Sequence, residues 1–170
     1  MGDDALGPWV IQQLEAEYEF PEGVSLVDVG TPGLDLIPYV TGPAGVLLVD
    51  TVKSGGAPGE IRVYDRDELL KHAAKPRLSP HDPGLSEALL ALELAGTPPR
   101  FVRLVGVVPE AVETGVGLSA AVAKAVPLAA QAVVRELALL GFAAGKRSAV
   151  SRPAPWWEVP AAEEPALTSP

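Results

Sequence analysis

The sequence contains no cysteine in its 170 residues. Disulfide bonds, iron–sulfur clusters, thiolate zinc sites and a cysteine nucleophile are therefore excluded. Any metal must be bound by oxygen atoms or imidazole nitrogens, and the chain has two histidines to supply the latter. The lack of cysteine leaves the cellular compartment open.

Positive charge and long apolar runs are also scarce. With 13 Lys and Arg against 22 Asp and Glu, the net charge is −9, which argues against nucleic-acid or anionic-membrane partners. The longest apolar stretch, Ala125–Val134, lies between two cations and is too short to span a bilayer. The start of the chain is acidic, unlike a signal peptide. We therefore expect a cytoplasmic protein with no nucleic acid and no membrane among its partners.

Three common functional motifs are missing or incomplete. The phosphate-binding motif G-x-x-x-x-G-K-[ST] and the nucleophile motif G-x-S-x-G do not occur. The stretch GVGLSA, residues 115–120, matches G-x-G-x-x-A, but no strand directly precedes it, as a dinucleotide site requires. Nucleotide binding and triad hydrolysis are thus not indicated.

Apolar runs alternate with segments of helical periodicity along the chain. The runs are continuous, which is typical of strands that are buried on both faces of a sheet. This order predicts an α/β fold in which helices cover both faces of a mostly parallel sheet. The predicted strands are Val24–Val29, Gly45–Asp50, Ile61–Asp65 (an edge strand) and Phe101–Val108. The main predicted helices are Ala5–Tyr18, Leu85–Ala95 and a final helix that begins after its N-cap Ser119 and ends at Gly141. Asp4 is the predicted N-cap of the first helix.

One domain of residues 1–141 is predicted, followed by a tail of residues 142–170. The tail is rich in proline, alanine and acids, a composition typical of disorder. Its Trp156-Trp157 pair can be interpreted as a docking motif, although a solvated extension is the favoured interpretation.

Several ionisable residues follow predicted strands or begin helices. Sites in open α/β sheets lie beyond the carboxyl ends of the strands, where Asp28 and Asp50 are expected. His81 lies in the stretch SPHDPG, between prolines that stiffen its loop, whereas His72 is expected on the surface. A set of one imidazole and a few carboxylates suits zinc, nickel or iron.

Each candidate also has a purely structural interpretation. An Asp at the end of a strand often caps a turn or the next helix, which applies to Asp28 and to Asp50. Asp3 and Asp4 can serve as caps at the mouth of the first helix. His81 can be a loop histidine without any role.

Six motifs occur in an order that resembles the hydrogenase maturation endopeptidases. They are GDDALG, DVGTPGLDL, LLVDTV, APGEIRVYDRDEL, LSPHDPGLSEALLAL and VRLVGVVPE followed by GVGLSAAV. The resemblance extends from Met1 to about Gly141, and SPHDPGL and LVGVVPE are its most specific parts. Proteins of this family trim the C-terminal extension of the large subunit of nickel–iron hydrogenases.

The resemblance implies a three-layer α/β/α sandwich and a metal site made by two carboxylates and one histidine. The positions of these ligands in the family fall on Asp4, Asp50 and His81, which are thus the implied catalytic and metal-binding residues. Asp28 matches an acid that stands before a Gly-Thr turn in the family. We interpret Asp28 as a supporting residue that orients substrate or backbone.

The implied activity is cleavage of the nickel–iron hydrogenase large-subunit precursor after nickel insertion. Nickel is then brought by the precursor, and the three implied ligands bind it beside the scissile bond. The metal can polarise the peptide carbonyl or activate a water molecule, and a nearby carboxylate can act as general base. The alternative is a non-catalytic paralogue that senses nickel or docks the precursor.

The chain departs from the family pattern at its start and at two positions. Members normally begin with a short apolar strand and a G-x-G-N-like turn before the Asp-Asp motif, whereas Met1 here stands inside that motif. We therefore expect that the first, central strand is missing from this sequence and that the functional protein begins roughly ten residues earlier. Ala5 and Thr51 stand where glycine and alanine are more usual.

Overall fold

The computed structural model describes residues 2–30, 36–72, 82–110 and 117–148. None of the helices in these ranges is long and apolar enough to cross a membrane. The elements, in chain order, are a 3-10 turn (Gly2–Ala5), α1 (Leu6–Glu17), β1 (Tyr18–Glu19), α2 (Ile37–Val40), β2 (Gly45–Thr51), β3 (Ile61–Asp65), α3 (Arg66–His72), α4 (Asp82–Leu94), β4 (Phe101–Val107), α5 (Ala120–Leu139) and β5 (Gly145–Lys146).

The main sheet has three strands in the order β2-β4-β3 within the described ranges. β2 runs parallel to β4, and β3 runs antiparallel on the other side of β4. A second, two-stranded antiparallel sheet joins β1 to β5. The α/β prediction is confirmed, and β3 is an edge strand, as its alternating pattern indicates. The sheet is mixed because this edge strand is antiparallel.

The side chains of β4 point alternately into two apolar cores. Val105 and Val107 belong to a core that is formed with α1 and α5. Val102 and Leu104 belong to a second core that is formed with α2, α3 and α4. Because side chains on a strand alternate between the two faces of a sheet, the helices lie in two layers with the sheet between them. The structure therefore has the three layers that the resemblance implies.

Residues Val24–Val29, predicted as a buried strand, do not form one. They are half-buried at Val24, Leu26 and Val29 and exposed between these positions, and no ladder pairs them with another described segment. A strand needs a neighbour for its N–H and C=O groups. Here a cavity borders both this segment and β2, whose own edge on the side away from β4 has no described partner. The apolar composition predicts both burial and pairing, but none of these six residues is fully buried and Val27 is 53% exposed.

Capping hydrogen bonds define several helix ends. Ser119 Oγ accepts the N–H of Val122 at 3.3 Å, which confirms Ser119 as the N-cap of α5. Asp65 and Glu68 each accept the backbone N–H of the other, a reciprocal box that starts α3. The prediction that Asp4 caps the first helix is wrong, because the N-cap position of α1 is the next residue and no side chain caps it.

The described structure extends to residue 148, past the predicted domain boundary at 141. Phe142 packs against the core of α1 and α5, and Gly145 and Lys146 pair with β1. Residues 149–170, including the Trp156-Trp157 pair, lie outside the described residues. The division into a domain and a tail stays a prediction.

Gly59 provides a test of the packing between the loop after β2 and the start of α5. Its φ is +83°, and a Cβ atom there would lie 2.8 Å from the backbone oxygen of Ala121. Gly59→Ala is therefore expected to lower the free energy of unfolding by about 1–3 kcal/mol. Gly55→Ala is the control, because its Cβ would meet no atom within 4 Å, and a change within about 0.5 kcal/mol is expected. Urea denaturation measures both, and equal stability of the two variants would contradict this account.

Candidate active site

A cavity of about 400 Å³ runs along β2 and is bordered by three carboxylates. They belong to Asp4, Asp28 and Asp50, the three acids that the sequence assigns to the site. Most of the remaining wall is apolar and comes from β2, the segment 23–30, α1 and α5. The structure thus brings together on one cavity acids that are up to 46 positions apart in the chain.

Asp50 is positioned by the parallel ladder between β2 and β4. It lies opposite Gly106, one residue before β2 ends. A Cβ atom at Gly106 would lie 2.5 Å from Val52 Cγ1, so the absence of a side chain there makes room for the residue that follows β2. Asp50 Oδ1 accepts the N–H of Thr51 at 2.7 Å, which restricts the carboxylate at the end of the strand.

Asp4 reaches the same cavity from the 3-10 turn that precedes α1. The turn contacts β2, and the helix approaches β2 so closely that a Cβ atom at Gly7 would lie 3.5 Å from the Val49 carbonyl oxygen. Asp4 Oδ1 is buried and has no hydrogen-bond partner among the described residues. A buried carboxylate oxygen in this state is unfavourable until a donor or a cation pairs with it.

Asp28 is exposed and holds a turn. Its Oδ1 accepts the N–H of Gly30 at 2.9 Å, and Gly30 has a φ of +62°. This hydrogen bond is the turn-capping role that the structural interpretation of Asp28 predicts. Asp28 also borders the cavity. Its position therefore suits either of the supporting roles proposed for it, which are to orient the backbone or to orient the substrate.

His81 lies outside the described residues. Its convergence with Asp4 and Asp50 therefore stays a prediction. Within the ranges that the structure describes, no three His, Asp or Glu side chains form a group that could hold a metal ion. His72 is the last residue of α3, and its surface exposure also stays a prediction.

Asp3 has a role that sequence reasoning missed. The sequence pattern suggests only a helix cap for Asp3, yet this residue is buried and accepts hydrogen bonds from the backbone of Glu110 and Ser119. The sequence offers one signal for this role, which is the pair of adjacent acids. Because side chains of neighbouring residues rarely point the same way, one acid of the pair is expected to face away from the cavity. Nothing in that pair tells which acid faces the cavity.

Comparison with known proteins gives consistent results. A model of the hydrogenase maturation protease family HycI matches residues 8–136. The hydrogenase 2 maturation protease of Escherichia coli strain K12 is 32% identical over 149 residues, which are 87% of this chain and 90% of that protein. The hydrogenase expression/formation protein HoxM of Azotobacter vinelandii is 33% identical over 65% of this chain and 54% of that protein. The solved structure of the E. coli hydrogenase maturating endopeptidase HybD superposes with a TM-score of 0.79 at 31% identity, covering 87% of this chain and 91% of that one.

Thr51, directly after Asp50, buries a hydroxyl that has no hydrogen-bond partner among the described residues. Thr51→Val replaces this hydroxyl with a methyl group of similar size, so we expect the free energy of unfolding to rise by about 1–3 kcal/mol. Thr51→Ser keeps the hydroxyl and loses a buried methyl group, and its stability is expected to fall. Chemical denaturation of both variants is the measurement. Destabilisation by Thr51→Val would mean that the hydroxyl is bonded in the native protein.

Proposed function

The chain belongs to the hydrogenase maturation protease family, and on this premise we propose that it removes the C-terminal extension of a nickel–iron hydrogenase large-subunit precursor after nickel insertion. The observation that carries the proposal is the buried Oδ1 of Asp4, which has no partner among the described residues and lies on the same cavity as Asp50. Two carboxylates brought to one wall, one of them with an unsatisfied oxygen, favour the binding of a cation.

The cation in this proposal is the nickel that the precursor carries. Asp4, Asp50 and His81 contact it, as oxygen and imidazole donors that suit nickel. The chain has no thiolate, and thiolates are the protein ligands with the strongest preference for soft metals. A site of this kind can recognise nickel while leaving it in the hydrogenase subunit.

The reaction is hydrolysis of one peptide bond. A water molecule adds to the carbonyl carbon, the C–N bond breaks, and the products are a new C-terminal carboxylate and a free amine. Nickel lowers the barrier by polarising the carbonyl oxygen or by acidifying the attacking water. A carboxylate of the cavity accepts a proton from the water and then donates this proton to the departing nitrogen. The exposed Asp28 keeps the rim of the cavity in place through its bond to Gly30.

A non-catalytic paralogue that senses nickel or docks the precursor would use the same ligands. The two functions differ in one product, the released C-terminal peptide. Binding of the nickel-loaded precursor by the wild-type chain without release of that peptide would favour the paralogue.

The three proposed ligands give a direct test. His81→Ala, Asp4→Asn and Asp50→Asn are each expected to lower the cleavage rate by about 100-fold or more, because each change removes an imidazole ligand or a ligand charge. Purified nickel-loaded precursor is the substrate. Cleavage is followed by the gel shift of the large subunit and by mass spectrometry of the released peptide.

Two matched controls accompany these variants. His72→Ala removes the other histidine of the chain, and Asp65→Asn makes the same chemical change at an acid that accepts the N–H of Glu68 and does not line the cavity. Both are expected to cleave at nearly the wild-type rate. Normal cleavage by the His81→Ala variant would contradict the assignment of that ligand.

A further inference from the structure

Asp3 is a buried acid that does not line the cavity. Among the residues whose side-chain burial is described, it is the one charged residue that is buried, with 3% of its surface exposed. A buried carboxylate destabilises a fold unless hydrogen bonds compensate for its lost hydration. The partners of Asp3 therefore indicate what the residue does.

Two backbone amides from distant parts of the sequence donate to Asp3. The N–H of Glu110 donates to Oδ2 at 2.9 Å, and the N–H of Ser119 donates to Oδ1 at 2.7 Å. Ser119 is the N-cap of α5, so the carboxylate also lies at the positive end of that helix dipole. Each oxygen thus holds a different backbone position, one after β4 and one at the start of α5.

The same residue anchors the turn that carries Asp4. This 3-10 turn has four residues and begins at Gly2, whose φ is +46°. Asp4 follows Asp3 directly, and its own Oδ1 makes no hydrogen bond within the described residues that would hold it. The hydrogen bonds from Glu110 and Ser119 to the neighbouring Asp3 are therefore contacts that can fix the position of this turn.

We infer that Asp3 is a positioning residue: by accepting the N–H groups of Glu110 and Ser119, its carboxylate holds Asp4 at the cavity wall in the orientation that cleavage requires. The catalytic consequence rests on the proposed function. The adjacent acids of the opening motif thus have separate roles, because one binds backbone and the other is left for a ligand.

The Asp3→Asn variant removes one of the hydrogen bonds from Glu110 and Ser119 without changing the shape of the side chain. The amide offers one acceptor oxygen. Its NH2 group then faces a backbone N–H, and because both groups are donors no hydrogen bond forms between them. We expect kcat for cleavage of nickel-loaded precursor to fall about 10–100-fold and KM to stay within about threefold. We also expect the order parameter of the Asp4 amide in the free 170-residue chain, from ¹⁵N relaxation, to fall from about 0.85 to below about 0.6.

Asp65→Ala separates this positioning role from a general loss of stability. It removes the Oδ1 that accepts the N–H of Glu68 at 2.9 Å at the start of α3, and this residue does not line the cavity. The melting temperature is expected to fall because a helix cap is lost. Both kcat and the order parameter of Asp4 are expected to stay close to the wild-type values.

Loss of kcat and of Asp4 order in Asp3→Asn, but not in Asp65→Ala, supports the inference. Equal effects in both variants, or wild-type values in Asp3→Asn, would overturn it. If neither this chain nor a form extended at its start by the expected first strand cleaves the precursor, the proposed function fails, and the order parameter alone decides the role of Asp3. If Asp3→Asn does not fold, Asp3→Ser is measured in the same way, because its hydroxyl can replace only one of the two acceptor oxygens.

Discussion

The parallel ladder between β2 and β4 is the constraint on which the rest of the structure depends. Its register runs from Gly45 opposite Phe101 to Thr51 opposite Val107, and the alternating side chains of β4 assign the helices to the two cores. The same register sets Asp50 near the end of β2, on the wall of the cavity. Because α1 packs closely on β2, the turn before it is brought to that wall as well.

Much of this fold could be predicted from local patterns, and the failures have a common cause. The continuous apolar runs of β2 and β4 predict strands because such short runs have few other stable structures. Ser119 is predictable as a cap because a capping hydrogen bond acts over three residues. The segment Val24–Val29 has an equally apolar run, but a strand also requires a neighbour, which no local pattern reports. Likewise, the hydrogen bonds of Asp3 join residues 107 and 116 positions apart.

The candidate site shows how structural and functional interpretations of one acid can both hold. Asp28 and Asp50 each accept a nearby backbone N–H, as a capping residue would, and each also borders the cavity. For the adjacent pair Asp3 and Asp4 the interpretations separate, because the first is satisfied by backbone donors and the second keeps a buried oxygen without a described partner. An acid without such a partner at a cavity wall is the strongest local argument for a cation there.

The dependence of cleavage on nickel in the precursor tests the account most directly. Large-subunit precursor is purified from cells grown with and without nickel, its metal content is quantified, and each form is incubated with the wild-type chain. We predict that the nickel-loaded form alone is cut, and that a chelator added after insertion has little effect because the metal is bound within the precursor. Efficient cutting of the nickel-free form would contradict the account, since the carboxylates of Asp4 and Asp50 would then have no cation to recognise.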